Sequence, residues 1–185
     1  MKFNPLTIAA LLGLTTAAPT LSLEERYPTN PSLIKPIYNN VYSRSTGGLT
    51  YNPALDSSIF DKTTTISTFN LPSALKGRKC RLGFVIDAAD TKATLTSATG
   101  VQLFSTNSVP PTYDVKAWGP PGNQRNIHYG NLNLKKPGEG GVDDWPRLLE
   151  KFDCPTGYVA WEIAAKWNVG VEWDPVKSGL YVVPL

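Results

Sequence analysis

The chain has 185 residues, of which 41% are hydrophobic, 10% aromatic and 18% charged, with a net charge of +3. That suffices for one domain with a real core but not for two, and the apolar content excludes a disordered chain. No cluster of Lys and Arg is longer than a dipeptide, which argues against a nucleic-acid partner.

The N-terminus reads as a secretory signal over residues 1–17. Lys2 supplies the positive start, Leu6 to Leu14 the apolar stretch, and Thr15-Thr16-Ala17-Ala18 the small residues for cleavage, here after Ala17. About nine apolar residues cannot cross a bilayer core that needs ~20. The closing Leu180 to Leu185 is also too short for a lipid-anchor signal. The expectation is a secreted protein, extracellular or in the cell wall, with no membrane span. Cys80 and Cys154 are the only cysteines, and an oxidising compartment allows them a single intramolecular pairing. Closing that long loop stabilises a fold by roughly 4 kcal/mol on the chain-entropy model.

Residues 18–56 form a Pro-, Asn- and Ser-rich stretch in which Pro19, Pro28, Pro31, Pro36 and Pro53 interrupt every helical window. A free linker and an extended arm both have this composition. Tyr27, Tyr38, Tyr42 and Tyr51 favour an arm at least partly docked, because free linkers are aromatic-poor.

Residues 57–185 carry the expected domain. Thr63 to Leu71 is rich in β-branched residues and ends at Pro72, as an edge or terminal strand does. Cys80, Leu82, Phe84 and Ile86 alternate with Arg81, Gly83 and Asp87, a second strand that carries a cysteine inward. Ala93 and Leu95, then Val101 and Leu103, continue the alternation on either side of Gly100. A shorter alternation at Tyr113, Val115 and Ala117 leads into a loop at Trp118 to Gly122. Ile127 to Leu134 reads as a strand, the Gly-rich Lys135 to Asp144 as a loop, and Trp145 to Phe152 as one helical turn with Pro146 at its start.

From Val159 to Trp173 every odd position is apolar, while Glu162, Lys166, Asn168 and Glu172 stand at even ones. This is the period of a strand with one dry and one wet face. The run is too long for one strand. Unbroken parity predicts a hairpin with a three-residue loop at Lys166-Trp167-Asn168 and a left-handed Asn168, which sets Trp161 opposite Trp173 and Glu162 opposite Glu172. Short strands between Gly/Pro loops make the fold all-β: an antiparallel β-sandwich of six to eight strands with one disulfide, a partly closed β-barrel being the alternative.

Ser57-Ser58-Ile59-Phe60, Phe69-Asn70-Leu71-Pro72 and Gly77-Arg78-Lys79-Cys80-Arg81-Leu82-Gly83-Phe84, followed by Phe152-Asp153-Cys154-Pro155-Thr156-Gly157, Trp161-Glu162 and Ser178-Gly179-Leu180-Tyr181-Val182, resemble the fungal But2 C-terminal domain family over residues 57–185. The resemblance implies an exported or surface protein with a β-rich domain, its two cysteines corresponding to Cys80 and Cys154. The family name also implies a partner in ubiquitin-like conjugation, a cytosolic role at odds with the signal peptide.

Chemistry is sparse. His128 is the only histidine and has its ordinary reading as a structural strand residue. One histidine and two oxidised cysteines make no zinc site, and Asp143-Asp144 lacks calcium-loop spacing. Glu162 and Glu172, if opposed, would approach the separation used by retaining glycosidases, but two glutamates on a wet face are ordinarily solubilising. Trp118 and Trp145, in loops, are the candidate ligand contacts, since flat rings suit the sugar rings of a wall. Trp161 and Trp173, on the apolar face, belong to the core. The expected protein is a non-enzymatic extracellular interaction module without cofactor, with cell-wall polysaccharide or an extracellular protein as possible partner. Carbohydrate binding or weak glycoside activity is the alternative, and ubiquitin-like conjugation the third reading.

Overall fold

A computed structural model describes residues 32–52, 57–60, 62–96, 99–118 and 125–185. The expected signal segment 1–17 with its expected cleavage site, residues 18–31 of the expected arm and residues 119–124 of the loop after Trp118 lie outside the described residues. Among those described there is no α-helix, and no helix long and apolar enough to cross a membrane. The strands run β1 (Tyr38–Ser43), β2 (Leu49–Asn52), β3 (Ser57–Ile59), β4 (Thr63–Leu71), β5 (Lys79–Ile86), β6 (Thr94–Leu95) and β7 (Gly100–Thr106). They continue with β8 (Arg125–Asn133), β9 (Gly138–Glu139), β10 (Gly141–Val142), β11 (Phe152–Asp153), β12 (Gly157–Ala165), β13 (Val171–Trp173) and β14 (Gly179–Pro184). Short 3-10 turns stand at Ser73–Leu75 and Leu148–Glu150.

All pairings are antiparallel. The main sheet has seven strands in the order β10-β8-β7-β12-β4-β1-β2, and it is open, with β10 and β2 at its edges. Facing it are β11-β5-β14, with β9 also on β5, and a three-stranded sheet β3-β13-β6. This is the expected all-β sandwich, with Cys80 and Cys154 joined at a Cα separation of 5.1 Å. The bridge ties β11 to β5, where Phe152 stands opposite Cys80.

The core lies between the layers. Period-two alternation sends Phe69 and Leu71 of β4, Trp161 and Ile163 of β12, and Val101 and Leu103 of β7 inward against Leu82, Phe84 and Ile86 of β5 and Leu180 and Val182 of β14. Trp161 sits at its centre, with edge-to-face contacts to Phe69 at 5.3 Å, Tyr129 at 5.9 Å and Phe152 at 6.0 Å. Trp173 meets Phe84 at 5.1 Å. Both tryptophans are 1% exposed, so the apolar parity identified two core residues. On the far side of β5, Gly83 pairs with Tyr181 and the tyrosine ring occupies the space a side chain on Gly83 would fill.

Three sequence expectations are corrected. β4 is not at an edge: it lies between β12 and β1, because the arm's Tyr38–Ser43 segment adds to it from Tyr38↔Thr68 to Ser43↔Thr63. Nor do β12 and β13 form a hairpin. β12 pairs with β4 and β7, whereas β13 pairs with β3 and β6. The chain crosses between sheets at residues 166–170, which preserves the inward parity without any pairing across the turn. Tyr113 to Ala117 forms no strand, contributing only the isolated bridge Leu49↔Val115.

Candidate functional site

The outer face of the seven-stranded sheet carries the even positions of β12: Ala160, Glu162 and Ala164. Sequence parity places them in water, yet they are 5%, 2% and 3% exposed. The physical reason is a cover. Tyr38 Oη donates to Pro110 O at 2.8 Å, Asn40 Nδ2 to Pro111 O at 3.1 Å, and Leu49 and Val115 exchange two backbone bonds of 2.8 Å. Loop 107–118 thereby lies across the sheet, and Trp118 packs on a second apolar cluster of Leu49, Ile66 and Ala160.

Two residues further along β12, Glu162 is held by an arginine. Arg125 Nη2 donates to Oε1 at 2.9 Å and Nε to Oε2 at 3.1 Å. The carboxylate is 3% exposed while the Arg125 side chain is 36% exposed, so one end of the pair is dry and the other wet. The guanidinium also lies 4.6 Å from the Phe104 ring centroid. A buried carboxylate needs such a partner, since removing it would leave an uncompensated charge. Phe104 in turn stacks with His128 at 4.5 Å and 20°, and His128 Nε2 shares a hydrogen bond of 3.1 Å with Asn131 Oδ1. The sole histidine thus serves as a packing element.

Two residues beyond that, at Ala164, the face opens into a cleft of about 400 Å³. Ala164 keeps its floor low, and Thr64 of β4 and Gln102 of β7 make the floor polar. Arg44 and Arg125 line it with positive charge, and Phe60, Trp167 and Asn168 complete the lining. Phe60 is 41% and Trp167 81% exposed. Phe60 reaches its place because Gly170 offers no side chain against its ring.

Three features mark this cleft. First, Thr64 is 2% exposed and its Oγ1 has no hydrogen-bond partner among the described residues, although buried hydroxyls are ordinarily satisfied. Second, Trp167 takes a left-handed backbone at φ 69°, alone among the described non-glycine residues. A bulky residue there costs about 1–2 kcal/mol. Parity assigned that conformation to Asn168; the chain places it one residue earlier, where Val169 N–H bonds Trp167 O at 2.9 Å. Third, the turn is anchored on both sides of Lys166: its N–H donates to Gly100 O at 2.9 Å and its Nζ to Asp143 Oδ2 at 2.8 Å. The Lys166 hydrogen bond, with one from the Asp144 backbone, holds the Asp143 carboxyl below its ordinary pKa.

The sequence candidates fall elsewhere. Trp118 is half-buried against the outer face. Trp145 is 85% exposed, and Pro146 beside it abuts Gly130 together with the core residue Leu149. Glu172 pairs with Ser58 and Thr94 in the small sheet, so the Glu162/Glu172 carboxylate pair expected from a hairpin is not formed. Trp167, Phe60, Thr64 and Arg125 escaped the sequence reading. A loop tryptophan was the available signal for Trp167, masked by its odd position in an apolar run. No protein-family model matches the chain, and no curated protein matches it, which leaves the chemistry of the cleft as the guide to what it holds.

Proposed function

We propose that this protein is a secreted, non-catalytic β-sandwich module of the But2 C-terminal type, acting outside the cell or in the cell wall, with the cleft beneath Trp167 as its contact surface. The observation that carries the reading is Trp167 itself. A ring 81% exposed and held at a left-handed backbone position contributes little to packing, and strain of this kind gathers at ligand sites. The secretory leader and the Cys80–Cys154 bridge support an oxidising compartment.

A saccharide is the ligand class favoured by the lining. An exposed indole and a phenyl ring offer flat apolar faces, while Gln102, Asn168 and Arg125 offer hydrogen bonds at the edges, the mixture that orients a small polar ligand. Retention on insoluble wall polysaccharide tests this. The wild-type chain should be retained, Trp167→Ala should wash through, and a Trp118→Ala/Trp145→Ala variant should behave as wild type. Loss with the double variant and not with Trp167→Ala would move the contact surface to the loops. N-terminal sequencing of secreted protein should read from Ala18. A cytosolic pool with its leader uncut would favour the conjugation-factor reading.

A further inference from the structure

We propose that the cleft takes a carboxylate-bearing sugar, a hexuronate unit, with its ring face on Trp167 and its carboxylate on the outer edge of Arg125. The inference rests on the saccharide reading and names the substituent that this site selects.

Arg125 is the reason. A guanidinium has five N–H donors in a fixed plane. Glu162 takes the Nε proton and one from Nη2, which occupies one edge. The Phe104 ring at 4.6 Å fixes the plane. Three donors remain, two of which, one on Nη1 and one on Nη2, run parallel along the outer edge of a side chain 36% exposed that lines the cleft. Parallel N–H pairs match the two oxygens of a carboxylate better than they match single hydroxyls. Because Glu162 and Phe104 hold the fork in place, a ligand loses little side-chain entropy in engaging it.

Arg44 also lines the cleft but is engaged within the protein, so the fork open to a ligand is that of Arg125. The floor adds the half-buried Gln102 side chain, to which a ring hydroxyl can hydrogen-bond. A simple carboxylic acid would satisfy Arg125 but not the indole face of Trp167.

The test uses the full secreted chain and two probes, a β-1,4-glucuronate oligomer and an α-1,4-galacturonate oligomer, each beside its carboxyl-reduced neutral counterpart, with binding followed by calorimetry and by tryptophan fluorescence. At least one acidic oligomer should bind about ten- to a hundred-fold more tightly than its neutral counterpart, and the preference should shrink with added salt. Arg125→Lys keeps a cation for Glu162 but loses the outer fork, so it should abolish the preference while circular dichroism shows a folded chain. Trp167→Ala should weaken acidic and neutral oligomers alike. Equal binding of the acidic and neutral forms, lost in Trp167→Ala, would overturn the carboxylate assignment and leave the saccharide reading standing. Binding unaffected by Trp167→Ala and Arg125→Lys would overturn both, as would no binding of any oligomer.

Discussion

The two faces of the seven-stranded sheet share the same strands but are sealed in different ways. On the inner face, Trp161, Ile163, Phe69 and Leu71 meet apolar side chains of β5 and β14, and burial is achieved by carbon against carbon. On the outer face, Glu162, Thr64, Asn40 and Thr65's neighbour Ile66 are equally buried, yet the cover is a loop, a single half-buried tryptophan and an arginine. Apolar packing is non-directional and tolerates adjustment, whereas buried polar groups demand particular partners. The inner face therefore supplies stability. The outer face holds a charge pair and a hydroxyl that an apolar residue of similar size would replace without loss, which is the pattern of a surface kept polar for use.

Substitutions that attack the two faces separately should break the comparison cleanly. The largest effect belongs to Trp161→Ala, which empties the centre of the aromatic cluster and should lose about 3–5 kcal/mol in urea unfolding. A loss under 1 kcal/mol would show that the inner face is not the main source of stability. Next comes the disulfide at the base of the same layer. Cys80→Ala/Cys154→Ala releases the constraint between positions 74 apart and should lower stability by about 2–4 kcal/mol. The outer pair follows. Arg125→Ala strands the buried Glu162 carboxylate and should cost about 2 kcal/mol, below the value for a fully buried pair because the arginine end is wet. Adding Glu162→Leu to Arg125→Met should recover most of that loss. A double variant no more stable than Arg125→Ala would mean that the pair is structural after all.

The inner face was legible because its signal is periodic. β-Branched content located Thr63–Leu71, and alternation located the Cys80 strand and the inward Trp161 and Trp173, since one wrong-facing residue there would disturb the packing of the whole layer. The outer face was not, for two reasons. Burial of Glu162 depends on Arg125, 37 residues away in sequence, and on loop 107–118 folding back over the sheet. Neither contact has a local pattern. The hairpin expectation failed because parity is the same for a three-residue loop and for a crossing to another sheet; partner choice is set by β3 and β6, which the apolar pattern of β13 does not encode. Trp167 was passed over by that same parity: it was placed in the turn of a hairpin and not weighed as a contact, whereas it stands at the rim of the cleft.

The smallest effect is the most discriminating, because it falls at the junction of the two regimes. Trp167 is 81% exposed, so truncating it removes little burial, and its φ of 69° is a conformation that glycine adopts without penalty. Trp167→Gly relieves that strain; Trp167→Ala removes the same ring but keeps the Cβ that makes a left-handed backbone unfavourable. The glycine variant should therefore be more stable than the alanine variant by about 1 kcal/mol, even after the greater freedom glycine has in the unfolded chain is counted against it. Both should lose the ligand. A more stable chain that no longer binds would separate the strain at residue 167 from any role in folding. Equal stability of the two variants would show instead that the turn between Gly100 and Asp143 relaxes once the indole is gone, and that the ring holds the backbone in place rather than the reverse.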